Sequence, residues 1–180
     1  MVMNENERYG IGPQALINYL RENYNDLWFN SSRLYENVRG TFNDVSEKSG
    51  ILGPSFGLGL AISDFNEDGR PDIYMANDYY LPDVMFVNQG DGTFRDEIKE
   101  RTGQVSFYGM GVDVGDVNND AKSDIFVLDM AYNDHYRSKT LMASMDVDRF
   151  YMLTDALGFH HQYMYNSLQI NDGTNRFANQ

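Results

Sequence analysis

The 180-residue chain contains no cysteine. A disulfide frame and a thiolate metal site are both excluded, so in an oxidising compartment something else must brace the fold. Basic residues are also scarce: 14 Lys and Arg stand against 27 Asp and Glu, a net charge of −13. Nucleic-acid and anionic-membrane surfaces each need a basic patch, and this balance argues against both. No apolar run approaches the roughly 20 residues that span a bilayer. The opening "MVMNENERYG" lacks the basic and apolar regions of a signal peptide. A G-x-S-x-G nucleophile elbow is missing too. His135, His160 and His161 remain as catalytic candidates. Neighbouring residues face opposite sides of a strand, or lie about 100° apart on a helix, so His160 and His161 are not expected to share a metal. No convincing catalytic constellation emerges.

What is present is a core and a repeat. Hydrophobic residues make up 42% of the chain and aromatics 14%, enough for packed structure rather than wholesale disorder. "SFGLGLAISDFNEDGRPDIYM" (55–75) aligns with "FYGMGVDVGDVNNDAKSDIFV" (107–127) at a shift of 52 residues. The same shift carries "GTFND" (40–44) onto "GTFRD" (92–96), and a degraded copy, "LQINDGTNRFAN", closes the sequence at 168–179. Two matches at one spacing, in different halves of the unit, identify a duplication.

Each unit reads as strands. "GLGLAIS" (57–63) and "GMGVDVG" (109–115) alternate small or polar residues with apolar ones, with glycines where another backbone approaches. "DIYMAN" (72–77) and "DIFVLD" (124–129) are β-prone runs, and "VMFVN" (84–88) leads through a Gly-Asp-Gly turn into another strand. About four short strands per 52-residue unit predict β-propeller blades rather than a sandwich, which would not explain the fixed period. The fold expected is mainly β: a partial propeller of about three four-stranded blades. It divides into an N-terminal helical or irregular segment (1–32), two repeats (33–129), a helical insertion (130–165) and the start of a further repeat (166–180). Within the first segment, "PQALINYLRENY" (13–24) looks helical, with Pro13 in the first turn. In the insertion, "MDVDRFYMLTDALG" (145–158) predicts a helix capped near Asp146 or Asp148 and ended by Gly158, with Phe150, Leu153 and Leu157 on one packing face.

The chemistry concentrates in two acidic loops. In "DFNEDGRPD" (64–72), positions 1, 3, 5 and 9 are Asp64, Asn66, Asp68 and Asp72, and position 7, Arg70, offers its backbone carbonyl. This is an all-oxygen, hard-donor set that suits Ca²⁺ and not zinc or copper. Gly69 at position 6 supplies a positive φ. "DVNNDAKSD" (116–124) repeats the set as Asp116, Asn118, Asp120, Lys122 and Asp124, with Ala121 in the glycine position. A left-handed non-glycine residue costs about 1–2 kcal/mol, so the second site is expected to be the weaker. An EF-hand would need Glu at position 12, where Met75 and Val127 stand, and a helix where strands follow. A solvated Asp/Asn turn that binds nothing is the plain alternative.

"FGLGLAISDFNEDGRPDIYMAN" with "NQGDGTFRD" closely resembles the FG-GAP/VCBS repeats of integrin-alpha-like β-propellers, over about residues 33–129 and 166–178. "LYEN…GTFNDVSEKSGI" and the insertion further resemble a bacterial secreted or surface subgroup. The resemblance implies four-stranded antiparallel blades with Ca²⁺ in the loop joining the first two strands. It implies an extracellular, cell-surface or periplasmic setting, and adhesion to a protein or glycan ligand. Complete propellers of this type have about seven blades, so the chain is expected to be a piece of a longer protein, or one whose copies complete the ring. An open arc would leave strand edges and apolar faces exposed and prone to aggregate. The competing reading is a carbohydrate-active enzyme, or its accessory domain, in which the insertion shapes a pocket and Tyr79, Tyr80, Tyr132, Tyr136, Tyr163 and Tyr165 stack on sugars.

Overall fold

The computed structural model describes residues 31–79, 81–132, 134, 136 and 150–180. The expected helix over 13–24, the residues His135 and Tyr80, and the start of the insertion helix therefore lie outside the described residues. Twelve strands are described, with two short helical turns. Strands β1 (Tyr35–Val38) and β2 (Thr41–Asp44) form a hairpin. Next come β3 (Gly57–Ser63), β4 (Asp72–Asn77), β5 (Val84–Asn88) and β6 (Phe94–Asp96), an antiparallel sheet in sequence order. A short helix α1 (Ile98–Arg101) and strand β7 (Val105–Ser106) lead into β8 (Gly109–Gly115) and β9 (Asp124–Asp129). After the insertion, a π-helical turn α2 (Met152–Ala156) and β10 (Gln162–Tyr163) precede β11 (Ser167–Asn171) and β12 (Phe177–Asn179). The second large sheet runs β8-β9-β11-β12, and β10 pairs in parallel with β7.

These are two blades of a partial propeller, each a four-stranded antiparallel meander. The second is interrupted by the insertion between its second and third strands. Among the described residues the sheets do not close into a ring. Both first strands carry a bulge at the same repeat position: Gly57 and Gly59 oppose Asn77 and Ala76, and Gly109 and Gly111 oppose Asp129 and Leu128. The glycine at 59 is required by close approach. A Cβ there would lie 2.7 Å from the Val112 nitrogen and 2.9 Å from the Gly111 Cα, both backbone atoms of the next blade.

The period-2 pattern divides each blade into two faces. Ala61, Tyr74, Ala76, Met85 and Val87 of the first blade pack against Ile125, Val127, Val112 and Val114 of the second, with Phe65, Ile98, Val105 and Phe177 completing one core. In the first blade the residues equivalent to Val112, Val114, Ile125 and Val127 are Leu60, Ile62, Ile73 and Met75. Leu60 and Ile62 are exposed, whereas Met75 is buried with Ile51 and Phe86, and Ile73 packs against that cluster. The repeat thus displays the same face twice, covered by the other blade in one copy and open along the first strand in the other.

The insertion returns to the blades through a defined stop. Gly158 has φ +66°, and the Phe159 N–H donates to the Leu153 carbonyl at 2.9 Å, a left-handed helix end. Leu153 and Met152 are buried in a small cluster with Phe107 and Tyr108, against which Leu157 packs.

Candidate metal-binding loops

Each acidic loop joins the first two strands of its blade, and the backbone inside it is organised by the side chains of its own motif. Asp64 Oδ1 and Asn66 Oδ1 both accept from the Asp68 N–H, at 3.0 and 3.2 Å. Sharing one donor brings those two oxygens to the same side of the loop. Asp64 Oδ2 accepts from the Gly69 N–H at 2.7 Å, Asp68 Oδ1 from the Arg70 N–H at 3.0 Å, and the Asn66 amide donates to Asp68 Oδ2 at 2.7 Å. Asn66 and Asp68 are therefore joined directly, and Asp64 meets them through the shared N–H.

The second loop repeats this network. Asp116 Oδ1 and Asn118 Oδ1 accept from Asp120 N–H, both at 3.0 Å. Asp116 Oδ2 accepts from Ala121 N–H at 2.9 Å, Asp120 Oδ1 from Lys122 N–H at 2.9 Å, and Asn118 donates to Asp120 Oδ2 at 3.1 Å. Ala121 takes φ +68° where Gly69 takes +84°. The alanine adopts the left-handed conformation that the pattern demands.

Asp72 and Asp124 have a role that spacing alone did not reveal. Asp72 is fully buried, and each of its oxygens holds a backbone N–H: Phe65 at 3.0 Å from the loop start and Asn88 at 2.8 Å from the end of β5. Asp124 does the same with Val117 and with Asn171, both at 2.9 Å. Each ninth-position carboxylate thus clamps the loop to the third strand of its blade. Burial raises the Asp72 pKa; the Asn88 and Phe65 N–H groups oppose this, while the charges of Asp68 and Asp64 add to it.

Among the described residues, no three His, Cys, Asp or Glu side chains are drawn together as a metal cluster. The reasons are visible in the contacts. Asn66 and Asn118 contribute amide oxygens, while Asp72 and Asp124 are engaged by backbone donors. Two carboxylates per loop remain at the front, and one of each pair faces a basic side chain. Arg70 pairs with Asp68 at 2.5 Å and also donates to the Asn88 carbonyl, and Lys122 lies 3.6 Å from Asp120. For Asp120, partial desolvation is outweighed by the Lys122 N–H, the Asn118 amide and the Lys122 charge, leaving its pKa lowered. The front donors are all oxygens held on one turn, a set compatible with a hard cation.

The sequence candidates for catalysis fall elsewhere. His160 is buried, and its Nε2 lies 3.0 Å from Thr102 Oγ1. That hydroxyl already donates to the Ile98 carbonyl at 2.7 Å, so His160 Nε2 carries the proton and donates. Burial, with the nearby charges of His161 and Lys99, lowers its pKa to about 4. This is a neutral structural histidine that ties the insertion to α1. His161 stacks on Phe150, which also meets Tyr163, and Tyr163 meets Tyr165. Sequence reasoning missed Asp83, which is fully buried, accepts from Tyr74 Oη at 2.7 Å and Asn77 N–H at 2.9 Å, and has its pKa raised by burial to about 7.

Consecutive four-stranded blades, each opening on a bulged glycine strand and an Asp-x-Asn/Asp turn, define a propeller-type repeat. Residues 64–127 match the family model described as an FG-GAP-like repeat. The chain is also 32% identical over 117 residues to Cartilage acidic protein 1 of Xenopus tropicalis. That alignment covers 64% of this chain and 16% of the relative, so the chain corresponds to a small part of that protein's length. No described helix is long and apolar enough to cross a membrane.

Proposed function

We propose that this chain is a non-catalytic, calcium-braced β-propeller module that binds an extracellular protein or glycan, in an adhesive role. The observation that carries the reading is the twin hydrogen-bond network, which holds Asp64, Asn66 and Asp68, and again Asp116, Asn118 and Asp120, on one turn. Ca²⁺ would be held by these side chains with the carbonyls of Arg70 and Lys122, and with Asp72 and Asp124 through lone pairs left beside their backbone bonds. The bound ion supplies positive charge that relieves repulsion between the loop carboxylates. It would thereby brace a fold that has no disulfides. The setting proposed is extracellular, cell-surface or periplasmic. Further blades, or other copies of the chain, cover the exposed Leu60 and Ile62.

Thermal melting in EDTA against millimolar Ca²⁺ tests the reading. At free Ca²⁺ ten times above Kd, each site adds about 1.4 kcal/mol. Asp64→Ala should remove much of the Ca²⁺-dependent rise. An equal melting temperature with and without Ca²⁺, unaltered by Asp64→Ala, sinks the calcium reading.

A further inference from the structure

The first blade also carries a cleft at the end of the sheet opposite its acidic loop. It has a volume of about 350 Å³ and lies between residues 31–32, the start of β3 and the β4–β5 connection. This falls within the range of about 300–1,000 Å³ typical of small-ligand sites. Its lining includes the apolar Phe56, Leu58 and Tyr79 and the polar Asp78, Ser31 and Ser32. Tyr79 is half exposed and meets Phe56 edge to face at 6.5 Å and Tyr108 at 5.8 Å. Asp78 is buried at the lining, anchored by the Tyr79 N–H on its Oδ1 at 2.9 Å.

The backbone of Tyr79 is the second, independent observation. Its φ is +60°. The other described non-glycine residues with positive φ are Arg39, Glu67, Asn119, Ala121 and Asn175, which sit in the hairpin turns and the acidic loops. Tyr79 is the one aromatic among them, and a bulky residue in this region is strained. Strain of this kind persists where the surroundings over-determine it, and it concentrates at ligand-contacting positions. Here it fixes an exposed ring beside a buried carboxylate.

We infer that this cleft binds a neutral pyranose ring. The inference rests on the binding-module reading above and supplies the glycan class for it. A pyranose has a C–H face that packs on an aromatic ring and an edge of hydroxyls that donate to a carboxylate, and the lining of the cleft holds both kinds of group. Among the described residues no Lys or Arg lines the cleft, so a uronate or sialate would meet the Asp78 carboxylate there without a counter-charge from them.

The test is a titration of the chain, followed by ligand-observed NMR, with methyl α-mannopyranoside, methyl β-galactopyranoside and methyl β-glucopyranoside, and with methyl β-glucuronide as the charged control. At least one neutral glycoside should bind, and the glucuronide about ten-fold more weakly or not at all. Asp78→Ala and Tyr79→Asn should each weaken neutral-glycoside binding about ten-fold or more. Asparagine tolerates the left-handed backbone, so Tyr79→Asn removes the ring without adding backbone strain, and circular dichroism checks that the variant is folded. Neutral-glycoside binding that survives both variants, a glucuronide that binds as tightly, or silence from all three neutral glycosides overturns the inference. A chain that melts higher in Ca²⁺ yet ignores every glycoside keeps the calcium-braced module and loses this site. One that binds through Tyr79 but does not respond to Ca²⁺ does the reverse.

Discussion

The two acidic loops share their internal hydrogen bonds almost bond for bond, yet they sit in different surroundings. Phe65, at the second position of the first loop, is fully buried and meets Phe177 of the second blade edge to face at 6.1 Å. The Phe65 carbonyl accepts from the Asn171 amide at 3.1 Å, and Ser63 and Ser123 join their hydroxyls at 2.7 Å. Val117, at the matching position of the second loop, is 54% exposed. The local code is the same, but the first loop has a neighbouring blade to lean on and the described part of the second does not. Loop conformation in this repeat is therefore set by the loop's own side chains, while loop stability is set by the adjacent blade.

The sharpest way to break that comparison is to remove the second-position side chain from each loop. Phe65→Ala opens a hole in the inter-blade core, and deletions of this kind cost about 3–5 kcal/mol. Val117→Ala trims a solvated side chain and should stay within about 0.5 kcal/mol. Chemical denaturation of the two variants measures both. Similar losses for the two would show that the second loop is also packed against something, such as another blade or another copy.

Calcium supplies the next largest difference. Because the front donors of the two loops are arranged alike, Asp64→Ala and Asp116→Ala should each lower the Ca²⁺-dependent stabilisation by up to about 1.4 kcal/mol at ten times Kd. Isothermal titration should then count two sites in the parent chain and one in each variant. If Asp116→Ala leaves the count unchanged while Asp64→Ala reduces it, the neighbouring blade governs metal affinity as well as stability.

Much of this architecture was legible in the sequence because the repeat exposes it. The 52-residue shift located both bulged strands, and the glycines at 57, 59, 109 and 111 marked where strands bulge or backbones meet. The acidic pattern identified the loop residues, but not the division of labour among them. Asp72 and Asp124 look like further ligands by spacing, whereas their partners, Asn88 and Asn171, lie 16 and 47 residues away and only pairing of the third strand brings them near. Nothing local marks Phe65, between two polar positions, as buried. Its burial depends on Phe177, more than a hundred residues later. Asp83 escaped notice for the same reason: nothing local shows that an acid after Pro82 is enclosed between Tyr74 and the backbone of Asn77. Long-range contacts of this kind leave no periodic trace.

Position 6 is where the two loop sequences differ most plainly. Gly69 has open space where a Cβ would point, so Gly69→Ala meets no steric barrier and pays only for the left-handed backbone, about 1–2 kcal/mol. Ala121 already bears that cost, and Ala121→Gly should recover part of it, less the entropy that glycine returns to the unfolded chain. The net gain expected is therefore under about 1 kcal/mol. Measured as a pair in EDTA, the two substitutions isolate the backbone term from any metal. If Ala121→Gly proves stabilising in EDTA and leaves Ca²⁺ affinity unchanged, glycine at this position serves the fold and not the ion. If affinity rises with it, the alanine is what distinguishes the two loops as cation sites, despite their matching hydrogen bonds.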